Sequence, residues 1–98
     1  MVYKIVVSQR AQKEIENAAE YYSIDSVDAP VNFLKALANT YQVLAKKPFY
    51  RVRYKNIRAL KIKKFPYSLY FVVNQTNNTI RVLSCFHNKR NPNKRPRF

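Results

Sequence analysis

Three short apolar runs between Arg58 and Arg90, parted by polar connections of a few residues, leave this chain few architectures. In the first, residues 59–65, Leu60 and Ile62 alternate with Lys61 and Lys63, the period of a strand with one dry face and one wet face. The second, residues 69–73, is apolar throughout and suits a central strand. The third, residues 80–86, is nearly as apolar. Pro66 biases Phe65 toward an extended conformation and bars helix through the first junction. Residues 74–79 then read as a polar hairpin loop.

The rest of the chain is read against these runs. Residues 2–7 are β-branched and aromatic and predict a first strand. Ser8 offers an N-cap, and Ala11, Ile15, Ala18, Ala19 and Tyr22 follow at helical spacing. A second helix starts near Asp28, a cap candidate, with Pro30 in its first turn and Pro48 beyond its end. Its apolar stripe is Phe33, Leu34, Leu37, Ala38, Tyr41 and Leu44. In residues 50–55, Tyr50, Val52 and Tyr54 alternate with Arg51, Arg53 and Lys55, a further short strand. The pattern predicts an α+β domain over residues 1–88: an N-terminal strand, an αα-hairpin, then a four-stranded antiparallel meander with the helices on one face. The first strand must fill an edge or a gap. Residues 89–98 have no apolar periodicity and read as a mobile basic tail.

Several function classes are excluded or disfavoured. The chain has no glycine, so the glycine-rich phosphate loops of nucleotide-binding folds are ruled out. Its turns must use other residues, and Asn77 and Asn78 suit left-handed positions. Cys85 is the only cysteine, which rules out an internal disulfide or a cysteine-based metal site. Its place in a strand points to a packed, inert thiol. No apolar run is long enough to cross a membrane, and the start of the chain is too soon interrupted for a signal peptide, so the cytoplasm is the expected location.

Charge is the dominant property. Residues 1–45 hold four basic and all five acidic side chains, whereas residues 46–98 hold fifteen basic side chains and no acid, for a total of +14. A field so lopsided attracts a polyanion or an acidic protein, at rates that fall with salt.

The order of elements, with Arg58 just ahead of a strand, Phe-Pro-Tyr-Ser-Leu-Tyr-Phe-Val-Val at 65–73 and Ile-Arg-Val-Leu-Ser-Cys-Phe-His-Asn-Lys-Arg-Asn-Pro at 80–92, resembles the RelE/ParE toxins of bacterial type II toxin–antitoxin systems. The likeness covers nearly the whole chain. It implies a small basic toxin without a cofactor or metal, held in an oligomer by an acidic antitoxin whose C-terminal segment wraps the helices and the sheet. RelE-like members cleave mRNA in the ribosomal A site, and ParE-like members poison DNA gyrase. RelE-like enzymes typically carry an arginine in the central strand, where this chain has Ser68 within Tyr67-Ser68-Leu69-Tyr70-Phe71. Lys61 and Lys63 match their upstream basic residues and Arg90 a late arginine, but no tyrosine follows Tyr70. Cys-Phe-His-Asn-Lys-Arg resembles a ParE-like ending. Gyrase inhibition is therefore the leading expectation. The alternatives are a ribosome-dependent mRNA endonuclease and a non-toxic relative that binds nucleic acid.

Metal-free cleavage of RNA needs a base for the 2′-hydroxyl, a cation for the phosphate and an acid for the leaving oxygen. The carboxylates all lie at or before Asp28, in the helical part of the chain, so a carboxylate facing the sheet is not expected. His87 is the one imidazole, and with Arg90, Lys61 and Lys63 it outlines a cleavage site. The other reading makes His87 structural and assigns Arg58, Arg81, Lys89, Arg90, Lys94 and Arg95 to target or nucleic-acid binding. Arg58 also suits a donor to loop carbonyls. Tyr50, Tyr54, Tyr67 and Tyr70 could stack on bases or pack under the helices, the latter expected of Tyr70.

Overall fold

A computed structural model describes residues 2–50 and 52–89. The first strand, β1 (Lys4–Val7), leads into helix α1 (Gln9–Ser23), and helix α2 (Asp28–Lys46) follows antiparallel to it. Strands β2 (Val52–Tyr54), β3 (Ile57–Lys61), β4 (Tyr67–Asn74) and β5 (Thr79–His87) form the expected antiparallel meander. The sheet order is β1-β5-β4-β3-β2, so β1 takes an edge and runs parallel to β5, from Lys4 opposite Thr79 to Val7 opposite Val82.

Local chemistry fixes the helix starts. The Ser8 hydroxyl accepts the Ala11 N–H and donates to the Leu83 carbonyl, each at 3.1 Å, capping α1 and tying it to β5. At α2 the Ser26 hydroxyl accepts the Ala29 N–H at 3.0 Å. Asp28, expected as the cap, instead lies in the first turn, where its charge opposes the helix dipole favourably.

Ala11, Ile15 and Ala18 of α1 and Phe33, Leu37 and Leu44 of α2 bury against Leu69, Phe71, Ile80 and Val82. Tyr22, Phe33, Phe65 and Tyr67 add a nest of tilted and edge-on rings 5.3–6.3 Å apart. The buried stripe of α2 is narrower than its sequence implies. Phe33, Leu37, Thr40 and Leu44 are inside, but Leu34 is 46% exposed and Ala38 is exposed. The sheet covers a single row of the helix, and Leu34 and Ala38 lie in the row beside it, 100° around.

Strand limits also differ from the alternation. The run at 59–65 stops at Lys61: the Ile62 N–H still donates to the Tyr67 carbonyl at 2.8 Å, in register with the ladder, and the chain then turns through Lys64, which is left-handed (φ 70°). The outer strands begin later than expected, at Lys4 and Val52. Of the two asparagines proposed for left-handed turns only Asn78 adopts one (φ 53°), whereas Lys55 (φ 53°) and Lys64 do so unforeseen. The 89–98 tail lies outside the described residues apart from Lys89.

Leu37→Ala should lower stability by about 2–5 kcal/mol, and Leu34→Ala by no more than about 0.5 kcal/mol. Urea unfolding of both variants measures the difference. Equal losses would place the buried row wrongly.

Candidate functional site

Strand alternation sorts the candidate residues onto two faces. Leu60, Leu69 and Phe71 pack in the core, so Lys61, Ser68 and Tyr70 point away from the helices. Lys61 lies opposite Ser68, and Ser68 opposite Phe86, making one row across the helix-free face. Arg81 lies farther along that face, opposite Val72. Tyr70, expected under the helices, is thus on the open side, and Tyr67 takes the buried place.

β5 carries one extra residue against β4. Tyr70 pairs with Ser84 but Phe71 with Val82, leaving Leu83 as a bulge. The bulge inverts the alternation that begins with Ile80 and Val82, so Cys85 and His87 turn to the helix side. The His87 ring stands edge-on to Tyr67 with centroids 5.0 Å apart, and its Nδ1 accepts the Lys89 N–H at 3.1 Å. Lys61 and His87 therefore lie on opposite faces. Lys63 follows β3 in the exposed turn, and Lys89 is exposed beyond β5. Arg90, Lys94 and Arg95 lie outside the described residues.

Arg58 is engaged by its own chain. Its Nη1 donates to the Tyr50 carbonyl at 2.6 Å, and its guanidinium lies over the Phe49 ring, 5.5 Å from the centroid. Tyr50 packs against the core, and Tyr54 is exposed with the Lys55 Nζ 5.4 Å from its ring centre.

A carboxylate does reach the sheet, contrary to expectation. Glu14 Oε1 accepts the Ser84 hydroxyl at 2.7 Å and the Cys85 N–H at 3.2 Å, with the Arg10 Nε 3.8 Å away. It borders a small cleft shared with Asn17, Tyr21, Tyr67, Cys85 and His87. The signal was present in α1: Glu14 lies three residues after Ala11 and four before Ala18, on the flank of the buried stripe. Cys85 is buried and free. Burial pushes its thiol from 9.0 up to about 12, and the Glu14 carboxylate adds to the shift.

The two-layer arrangement of a helical hairpin over a five-stranded sheet, with a basic open face, defines the RelE/ParE fold class. The family model for the ParE toxin of the type II toxin–antitoxin system matches residues 5–92, and the chain belongs to that family. Its fold is similar to a chain of the chromosomal ParDE toxin–antitoxin system of P. aeruginosa, with a TM-score of 0.69 at 17% identity over 88% of this chain and 96% of that one. It is also similar to a chain of a RelBE toxin–antitoxin complex of Mycobacterium tuberculosis (0.65, 14%, 89% and 99%). An archaeal RelE–RelB complex of Pyrococcus horikoshii gives 0.59 at 14% identity over 93% of this chain and 100% of that one. Among curated proteins no sequence matches. No helix of the described residues is long and apolar enough to cross a membrane.

The thiol gives a pH signature. Because the native pKa of Cys85 is raised, the unfolded chain ionises first. Stability is full below pH 9.0 and falls as pH climbs toward about 12. Between pH 9 and 10 the slope should approach about 1.4 kcal/mol per unit. Tyr41, raised by burial from 10.0 to about 12, and Tyr22, also raised by burial, add to the fall from the upper end of that window onward. Urea midpoints across pH 8–10 should show the fall in the wild type and a flatter profile in Cys85→Ala.

Proposed function

We propose that this ParE-family toxin arrests growth by acting on DNA gyrase, without cutting RNA, and that an acidic antitoxin neutralises it. The separation of His87 from Lys61 carries this reading. A base and a cation that act on one phosphate must stand within hydrogen-bond reach of it, and here the sheet lies between them. Along the open row Lys61 has Ser68 and Phe86 as neighbours, and the Ser68 hydroxyl is held by Asn88 Oδ1 at 2.8 Å. His87 has a structural occupation against Tyr67 and the Lys89 amide. The family assignment and the serine in place of the RelE-type arginine support the same reading.

Induced expression should change plasmid supercoiling before protein synthesis falls. His87→Ala should keep its toxicity in proportion to the folded protein present, whereas replacing Lys89, Arg90, Lys94 and Arg95 together by alanine should weaken gyrase binding. Ribosome-dependent mRNA cleavage that vanishes in a well-folded His87→Ala protein would overturn the proposal.

The antitoxin reading rests on the net +15 of residues 46–98 against −1 for residues 1–45. Toxin–antitoxin association should slow as salt rises while dissociation changes little. Stopped-flow mixing across a salt series measures both, and an association rate indifferent to salt would assign the charge elsewhere.

A further inference from the structure

The row beside the buried one on α2 is apolar and uncovered. Val27, at the start of the helix, is 87% exposed, Val31 48% and Leu34 46%, and Ala38 is exposed too. Spacings of four, three and four residues keep them on one stripe, the seam spacing of paired helices, over about 16 Å. At about 100° per residue the stripe is turned about 120° from Phe33, Leu37, Thr40 and Leu44, so the core lies behind it. A contiguous apolar strip left open in this way marks a contact surface. Asp28 and Lys35, both exposed, stand two turns apart on its outer flank.

We propose that two copies of this chain associate through the stripe, α2 against α2 about a two-fold axis. The stripe is complementary to itself when the helices run antiparallel. With the axis at the level of Asn32 and Phe33, Val27 meets the partner copy's Ala38 and Val31 meets the partner copy's Leu34, and the symmetry repeats both contacts. Each layer then sets a larger side chain against a smaller one. Antiparallel helices bring like flanks together, so Asp28 of each copy faces Lys35 of the other, and the two ion pairs fix the register. The net charge of the molecule leaves this contact open. Residues 1–45 carry −1, and the +15 belongs to residues 46–98, beyond almost all of the helical layer that the axis brings together. The same patch serves both copies, so assembly closes at two. A seam of three turns falls short of a standard interface, which makes the dimer reversible. The inference is independent of whether gyrase or the ribosome is the target.

The test is sedimentation equilibrium of the full chain by itself, over about a hundredfold range of concentration. It belongs at about 0.15 M salt, where a Debye length of about 8 Å screens the distant basic halves from each other. The mean mass should rise with concentration toward that of two chains. Leu34→Asp, a change at an exposed site, should keep the thermal melting of the wild type and weaken the dimer by about tenfold or more. Asp28→Lys and Lys35→Asp should each weaken it by about fivefold, because each turns two attractions into two repulsions. Both reversals in one chain should restore the wild-type dissociation constant, a rescue that separate effects on the fold would not produce. A monomer at every concentration would leave the stripe to another partner and overturn the proposal. So would a dimer indifferent to Leu34→Asp, or single reversals that the double reversal does not rescue.

Discussion

One extra residue in the last strand controls how the two layers fit. Leu83 has no partner on β4, and its carbonyl is taken by the hydroxyl of Ser8, which also caps α1. The bulge therefore marks the point where β1 stops, the helix begins, and the direction of every later side chain on β5 reverses. Cys85 enters the core because of it, His87 reaches Tyr67 because of it, and Glu14 finds an outward amide to hold. Residues 8 and 83 are the two ends of a long chain segment, so this junction closes the fold against a large loop entropy.

Much of the architecture was legible because it rests on periodicity. Leu60 and Ile62 alternating with Lys61 and Lys63 announced a half-wet strand, Ser8 announced a helix start, and the short polar connections required an antiparallel meander. The misreadings arise where a tertiary contact decides between local options. Period-two counting from Ile80 and Val82 sends His87 to the face of Arg81, and the bulge alone reverses it. Counting apolar residues on α2 admits Leu34 and Ala38, but the width of the buried row is set by the sheet beneath. Tyr70 and Tyr67 have the same composition cues and differ only in parity. Glu14 was hidden by its company, since every acid of the chain lies before residue 29 and four of them face elsewhere or show no contact with the sheet among the described residues.

The two faces divide the work electrostatically. The helical layer holds the acids, the aromatic nest and the raised thiol, all insulated from the open side by the sheet. The open side presents Lys61 and Arg81 with Tyr70 between their rows. A side chain that must cooperate with those cations cannot come from the helices.

Lys55 and Lys64 hold left-handed backbone conformations in a chain without a single glycine. Such a conformation costs a residue with a Cβ about 1 kcal/mol or more, which glycine would avoid. The two turns bracket β3, the strand that carries Arg58 and Lys61. A positive charge stands at each of them, where glycine would relax the backbone. Exchanging either lysine for glycine would therefore relax a turn and, in the same step, remove one positive charge from the field around the molecule.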